Sequence, residues 1–510
     1  MSMTDAEDLS KSEVFSKVTK LLIPWASAAA EQGCSMKDFE KGLLGGVLKA
    51  CLPVVDQFLK SQGDGDLGKT IGEASCDDAH SSGTSEPGES RRIYRSAEHA
   101  TRKLRSVFGQ HTMSVFVYHA SDDPNSAIVR RPVDERLGIS PDRYSPLLQE
   151  YSMLFCCEQA FHGAVEAFET VFRQRLSADT LEKVSRRMGA AANQFLRNQA
   201  APKQTEEGSI LVVTADGKGV PLVKADAQRL TCFEEKSLRP GNRRMATVCG
   251  VYSIDPYQRT AESVVAALFR DTKSSAESES TGDRPVPCHK RLLAQLPGVV
   301  EGLGDDVIRG SILALTWAAD EVRKRLQPGQ LLVRLIDGQH SLWDDLNACQ
   351  SDLDELSTID ILDLLHAAGY VGKAAKDLCQ GVAAQEEFMK DRLLRILNGG
   401  VHSVIRGMKN MATRQGLSKD QRANVDAACH YFTAHAHRMK YDEYLAAGLP
   451  IATGIIEGAC RHLVKDRLER TGMRWSTEGA QGMLSLRSVR ASNLWDDFQK
   501  HYFATASLTA

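Results

Sequence analysis

The spacing of apolar and polar positions divides the chain into stretches of different texture. Over 12–60, apolar residues recur at helical intervals (Val14, Val18, Leu21 and Leu22, then Leu43, Leu44, Val47 and Leu48), predicting a small helical N-terminal unit, 1–60. Residues 61–90 carry hardly an apolar side chain and are rich in Gly, Ser, Asp and Glu, the texture of a flexible acidic linker. Basic density then rises at Arg91, Arg92, Arg95, Arg102, Lys103 and Arg105, and "HTMSVFVYHA" (111–120) alternates like a strand. Residues 146–198 return to helical spacing. There "ETVFRQRLSADTLEKVSRRMGAAANQFLRN" has the form helix, short turn, helix, with Ser177 placed to cap the second helix. Two readings fit this segment equally: a DNA-reading helix-turn-helix within 91–205, or a helical hairpin with solvated cations.

Beyond Glu206 the texture becomes α/β. Ile210–Val213 is a short, β-branched apolar run expected as a buried strand, and "RRMATVCGVYSI" (243–254) is a second. A polar loop fills 271–285, and a helix runs from about Asp305 to Leu326, stopping at Pro328-Gly329. Leu331–Ile336 is a third buried strand, "STIDILDLLHAAGYV" (357–371) is a strand entering a helix, and 372–447 is helical throughout. The expected divisions are 206–365, 366–447 and 448–510.

Composition changes this picture little. The chain of 510 residues is 42% hydrophobic and 25% charged, ordinary for soluble domains, and too long for one core. A net charge of −3 advertises no global affinity for nucleic acid, although a local basic patch suffices for it. The acidic N-terminus lacks the basic-then-apolar start of a signal peptide, and the apolar runs fall short of a membrane span, so a cytoplasmic protein without a membrane partner is expected. Twelve cysteines stand singly except for Cys156 and Cys157, with none at Cys-x-x-Cys spacing, and they read as reduced thiols.

The chemistry begins with two buried strands that each end in Asp-Gly, at Asp216-Gly217 and Asp337-Gly338. Asp-Gly is a common turn pair, and for one strand that suffices. For two strands of one sheet pointing the same way, the aspartates meet at its end, and a divalent cation relieves their repulsion. A third carboxylate, Glu457, lies in the first turn of the helix begun at "TGIIEGACRHLVKDRLER". A surface pair with Arg461 would account for it, but its apolar neighbours favour an inward carboxylate. Asp216, Asp337 and Glu457 together form a hard-oxygen set suited to paired Mg²⁺ ions.

"LVVTADGKGVP", "LIDGQHSLW" and "YDEYLAAGLPIATGIIEGACRHLVKDRLERTGMRWSTEGAQGMLSLR" closely resemble the signature blocks of DDE transposases from bacterial insertion sequences of the ISKra type. The resemblance runs from about Arg91 to the C-terminus. It implies an α/β ribonuclease-H-like catalytic core with a helical insertion (366–447), preceded by a mainly α-helical DNA-binding region. Asp216, Asp337 and Glu457 would then hold two Mg²⁺ ions, with Mn²⁺ able to substitute. Asp363-Leu-Leu-His366 also resembles the Asp-x-x-His motif of Mutator-like relatives, making Asp363 and His366 accessory residues. Relatives often carry cysteine pairs in the N-terminal part; 91–138 has no cysteine, and no zinc is expected.

The expected activity is binding of terminal inverted repeats, Mg²⁺-dependent cleavage and strand transfer, by a homodimer or larger assembly on double-stranded DNA of the nucleoid. The alternatives are an inactive or domesticated DNA-binding regulator that keeps the fold, and a ribonuclease-H-like nuclease that cuts without joining. Candidate DNA contacts are Lys183, Arg186, Arg187, Arg461, Lys465, Arg467 and Arg474. Trp475 is suited either to stacking on an unpaired base or to anchoring its helix end in the core. His366 is equally a hydrogen-bonded core histidine without the motif. Cys429, His430, His435 and His437 match no zinc spacing and read as ordinary helix residues, and Asp344, Asp345 and Asp352 as a solvated helix face.

Overall fold

The computed structural model describes residues 13–73, 91–140, 142–230, 241–270, 284–300, 306–353, 357–470 and 472–506. The polar loop at 271–283 therefore lies outside the described residues. The chain forms two compact units: 1–156 with 161–181 and 500–510, and 157–160 with 182–499.

In the first unit the expected N-terminal helices form at Glu13–Glu31 and Met36–Lys60. Strands β1 (Thr70–Glu73), β2 (Arg91–Arg95), β5 (Tyr118–His119) and β6 (Ile128–Arg130) make an antiparallel sheet, and β3 (Ala100–Ser106) with β4 (Gly109–Val115) a separate hairpin. One expectation is corrected. Residues 61–73 are not linker: Asp64 bonds His99 at 3.0 Å, Asp66 pairs with Arg95, and 70–73 pair with β2. The basic stretch 91–130 carries the strands, including those read within 111–120, in an N-terminal region that is mostly helical. The hairpin's inward residues Leu104, Met113 and Val115 close a small core with Leu59, and Arg102 is buried on Asp134 at 2.9 Å.

The helix Met36–Lys60 also corrects the hydropathy reading: over an 18-residue window it reaches mean hydropathy 1.4, enough by length and composition for a membrane span. Lys49 and Asp56 interrupt it, and the Asp56 carboxylate holds the buried His111 of β4 at 2.7 Å.

The second unit is built on a five-stranded sheet ordered β11-β10-β7-β8-β9. The strands are β7 (Ile210–Pro221), β8 (Arg243–Ile254), β9 (Cys288–Gln295), β10 (Leu331–Ile336) and β11 (Thr358–Leu362). β7, β8 and β9 are an antiparallel meander, whereas β10 and β11 run parallel to β7. Val212, Val333, Leu335 and Ile361 join one apolar core with the helices of 364–446. Arginines inside this unit are matched by acids distant in sequence: Arg325 on Glu207 at 2.8 Å, Arg291 on Glu321 at 2.7 Å and Arg334 on Asp360 at 2.6 Å. Each pair satisfies charges that would be costly to bury alone. Asp345, expected in solvent, is likewise buried, against Arg309 and Ser311.

The helix Thr477–Ala491 crosses the helix Ala178–Arg197 with glycine on glycine. A Cβ on Gly189 would stand 2.2 Å from the Gly482 Cα, so backbone meets backbone there. Ser177 caps its helix as expected, accepting from the Thr180 amide at 3.1 Å.

Candidate active site

Asp216 is not the first residue of a turn. Strand β7 continues through it to Pro221, with Asp216 opposite Val248 and Gly217 opposite Thr247 on β8. Asp337 does leave a strand end. Since Ile336 is paired with Ala215 across the parallel β10–β7 ladder, the next residues in register are Asp337 and Asp216. The two aspartates therefore lie side by side just past the last pair of the parallel β10–β7 ladder, with β7 running on beside β8.

Asp337 is half-buried, and its Oδ1 accepts from the Gln339 amide at 3.0 Å. Burial raises its carboxyl above the ordinary range, with the charges of Asp216 and Asp363 adding to the effect against the Gln339 amide and His366.

Behind Asp337 lies Asp363, which is 1% exposed. Its carboxylate accepts from the Leu365 amide at 3.1 Å, His366 Nδ1 at 2.8 Å, the Thr453 amide at 3.0 Å and the Thr453 hydroxyl at 2.7 Å. Burial would raise its pKa, but these donors outweigh burial and hold it below the carboxylate range. Asp363 is thus fully engaged inside the protein. His366 turns its other nitrogen toward Asp337, 3.9 Å from Oδ2. The bond from Asp363 pushes His366 up to about 8, so the ring carries a positive charge at neutral pH beside the aspartates.

Glu457 is carried on the helix Gly454–Ala459, which Thr453 begins. Its amide bonds the Thr453 carbonyl at 2.9 Å, so it lies within a turn of the Asp363 anchor. Three residues on, the Cys460 thiol is pushed up by burial first and by the charge of Asp216 second. In sequence Glu457 stands between Thr453, which is anchored to Asp363, and buried Cys460. The inward carboxylate expected of Glu457 is not found: the residue is exposed, while Ile456, Cys460 and Leu463 take the buried face. The surface pair with Arg461 is not found either; Arg461 faces Asp466 at 3.8 Å. Past Ala459 the helix widens into π turns over Cys460–Lys465, and buried Arg487 caps the His462 and Leu463 carbonyls.

Among the described residues, no three His, Cys, Asp or Glu side chains already stand in a metal-ligating arrangement. The donor chemistry nonetheless fits a divalent cation. Two aspartates lie side by side where burial raises one carboxyl and the other's charge adds to it, and an exposed glutamate lies on the helix whose start Thr453 ties to Asp363.

Sequence reasoning missed Tyr431. Its ring lies on Gly338, where a Cβ would meet it at 2.3 Å, and stacks on Tyr370 at 3.9 Å between centroids. The helical segment thereby clamps the turn that follows Asp337. Gly338 was the available signal, since a glycine beside a functional residue often marks a close approach.

The expected DNA contacts divide. Lys183, Arg187, Arg461, Lys465 and Arg474 are exposed. Arg186 is half-exposed, paired with Glu182 and 4.0 Å from Glu478. With Arg187 and Arg229 it borders a surface groove of about 740 Å³. Arg467 is corrected, and of the two readings of Trp475 the anchoring one holds. Trp475 is buried: its backbone bonds Pro221 and Val223, its indole N–H donates to the Leu468 carbonyl at 3.2 Å, and Arg467, itself buried, covers the ring at 4.8 Å. An indole satisfied on every side anchors the helix end and offers no free face to a base.

No protein-family model matches the chain, and no curated protein matches its sequence.

Proposed function

We propose that the chain is a DDE transposase of the ISKra type, with Asp216, Asp337 and Glu457 as its metal-holding carboxylates. The observation that carries the reading is the side-by-side placement of Asp216 and Asp337 just past the parallel β10–β7 ladder, with the start of the Glu457 helix tied by Thr453 to Asp363. The strand order supports a ribonuclease-H-like core. Counted in chain order, the strands stand fifth, fourth, first, second, third, three antiparallel and two parallel.

Divalent metal held by Asp216, Asp337 and Glu457 would supply charge neutralisation for the attacking and leaving oxygens of a phosphodiester. The protein's own groups position the reaction. Asp363 orients His366, and His366 presents a positively charged N–H beside Asp337, where a phosphate oxygen gains from it. Lys183, Arg187, Arg461, Lys465 and Arg474 are exposed cations suited to the DNA backbone. Water cuts at the element end, and the freed 3′ hydroxyl then attacks target DNA. Two ends held together call for at least a dimer, acting in the cytoplasm on nucleoid DNA.

A strand-transfer assay with Mg²⁺ on DNA carrying the repeats that flank the reading frame tests this. Joined products are expected. Nicks without joining would mark a nuclease, and binding without either product a regulatory descendant.

A further inference from the structure

Lys218 is a half-buried cation two residues beyond Asp216. In an Asp-Gly turn it would reach into water, but β7 runs on past it, paired with Ala246 in unbroken register. Side chains alternate along a strand, so Lys218 projects from the same face as Thr214 and Asp216, about 7 Å along from the aspartate. The Glu457 helix covers this face: a Cβ on Gly250, which is paired with Thr214, would stand 3.4 Å from the Thr214 methyl and 3.7 Å from Ile456. Burial, and after it the charge of Asp216, push the Cys460 thiol up, while the Lys218 charge opposes them. Asp216 and Lys218 thus both lie close to Cys460, three residues beyond Glu457.

The other inward cations of this unit are matched, Arg291 to Glu321, Arg325 to Glu207 and Arg334 to Asp360. Arg243, on the opposite face of the same ladder, donates to the Gly219 carbonyl at 3.2 Å and pairs with Glu469. Among the described residues Lys218 makes neither an ion pair nor a hydrogen bond. Asp216 does not take it, and its Oδ1 accepts instead from the Gly217 amide at 2.6 Å. Lysine is a poor strand former, and a charge half out of water without a partner weakens the fold. Such a group, kept beside a functional carboxylate, is one held ready for an anion.

We infer that Lys218 is a further catalytic residue, its ammonium donating a hydrogen bond to a non-bridging oxygen of the phosphate being cut. The aspartate pair is then flanked by two cations, His366 at 3.9 Å from Asp337 and Lys218 next along the strand from Asp216. Lys218 gives up no proton. It neutralises the charge that builds on the phosphate oxygens as the attacking oxygen adds and the leaving oxygen departs. The inference rests on the transposase reading for the identity of that phosphate, and on the strand geometry for the contact itself.

Lys218→Met keeps the aliphatic stem and removes the charge. Without DNA or metal, the full-length variant should unfold at the wild-type temperature or above it, because the fold pairs nothing with that charge. With Mg²⁺ at constant ionic strength, inorganic phosphate should raise the unfolding temperature of the wild type by about 2 °C, and that of the variant by clearly less. On nicked-end DNA substrates the cleavage rate at saturating DNA should fall ~100-fold, as for loss of one oxyanion donor. Affinity for the ends should stay within ~3-fold, one phosphate contact among many. Lys218→Arg, which restores a cation, should recover part of the rate. The inference is overturned by a variant less stable than the wild type, by equal stabilisation of both chains by phosphate, or by equal cleavage. A wild type that never cuts, with the difference in phosphate stabilisation intact, would count against the transposase reading and leave the phosphate contact of Lys218 supported.

Discussion

Thr453 donates to Asp363 twice, through its amide at 3.0 Å and its hydroxyl at 2.7 Å. The pair joins the end of β11 to the start of the Glu457 helix across 90 residues of sequence, and both partners are buried. Thr453→Val keeps the side-chain volume but leaves a buried carboxylate short of a donor, a cost of about 1–3 kcal/mol. Its unfolding temperature should fall, and so should its nicking rate, because the helix start loses an anchor. Thr453→Ser, which restores the hydroxyl, should recover both; a threonine held only for its methyl group would give the reverse order.

Glu457→Gln removes one negative oxygen and almost no volume. Since Glu457 is exposed, folding and end binding should be unchanged while cleavage falls by at least ~100-fold, as for a group acting only in the transition state. Gel shift and Mg²⁺-dependent nicking on the same DNA measure the two. Cleavage at the wild-type rate would remove Glu457 from the site.

Neutralising Arg186 and Arg187 together should weaken DNA binding and flatten its dependence on salt. Each lost phosphate contact lowers the log–log slope by about 0.9. Arg186 and Arg187 border the same groove, Arg186 beside Glu182 and Glu478. Affinity and slope both unchanged would leave this helix a hairpin with solvated cations.

His435 is 1% exposed, and burial, with the charges of His340 and Arg438 adding, lowers its pKa to about 4. Unfolded, it takes a proton near its ordinary value of 6.5. The unfolded state therefore binds more protons between pH 6.5 and about 4, and stability falls as pH falls through that window. The shift is worth about 3 kcal/mol. Denaturant unfolding of wild type and His435→Gln across pH 4–7 should show the wild type losing this increment on the acid side and the variant lacking it; parallel curves would contradict the assignment.

Much of the sheet was legible because its strands announce themselves chemically. β7, β8 and β10 are β-branched apolar runs, and the turn at Pro328-Gly329 ends a helix as such pairs do. The end of β7 was not, because Asp-Gly carries local turn chemistry that pairing with β8 overrides. β9, "CHKRLLAQ", begins polar and lacks β-branched residues, and only its neighbours make it a strand. In the site, the Asp216–Asp337 pairing followed from two strand ends, whereas the Thr453–Asp363 and Tyr431–Gly338 contacts join segments far apart in sequence. Arg467 and Trp475 misled for a related reason: a cation and an indole look alike in sequence whether they meet DNA or each other.

The central claim is that three separate segments share one metal site. Replacing Mg²⁺ with Fe²⁺ and adding ascorbate generates hydroxyl radicals that cut the backbone beside the bound metal. The account predicts three clusters of cuts in the folded chain, around Asp216, Asp337 and Glu457, all suppressed by excess Mg²⁺ and all lost in Asp337→Asn. Cuts near Asp216 and Asp337 without any near Glu457, or none that Mg²⁺ suppresses, would contradict it.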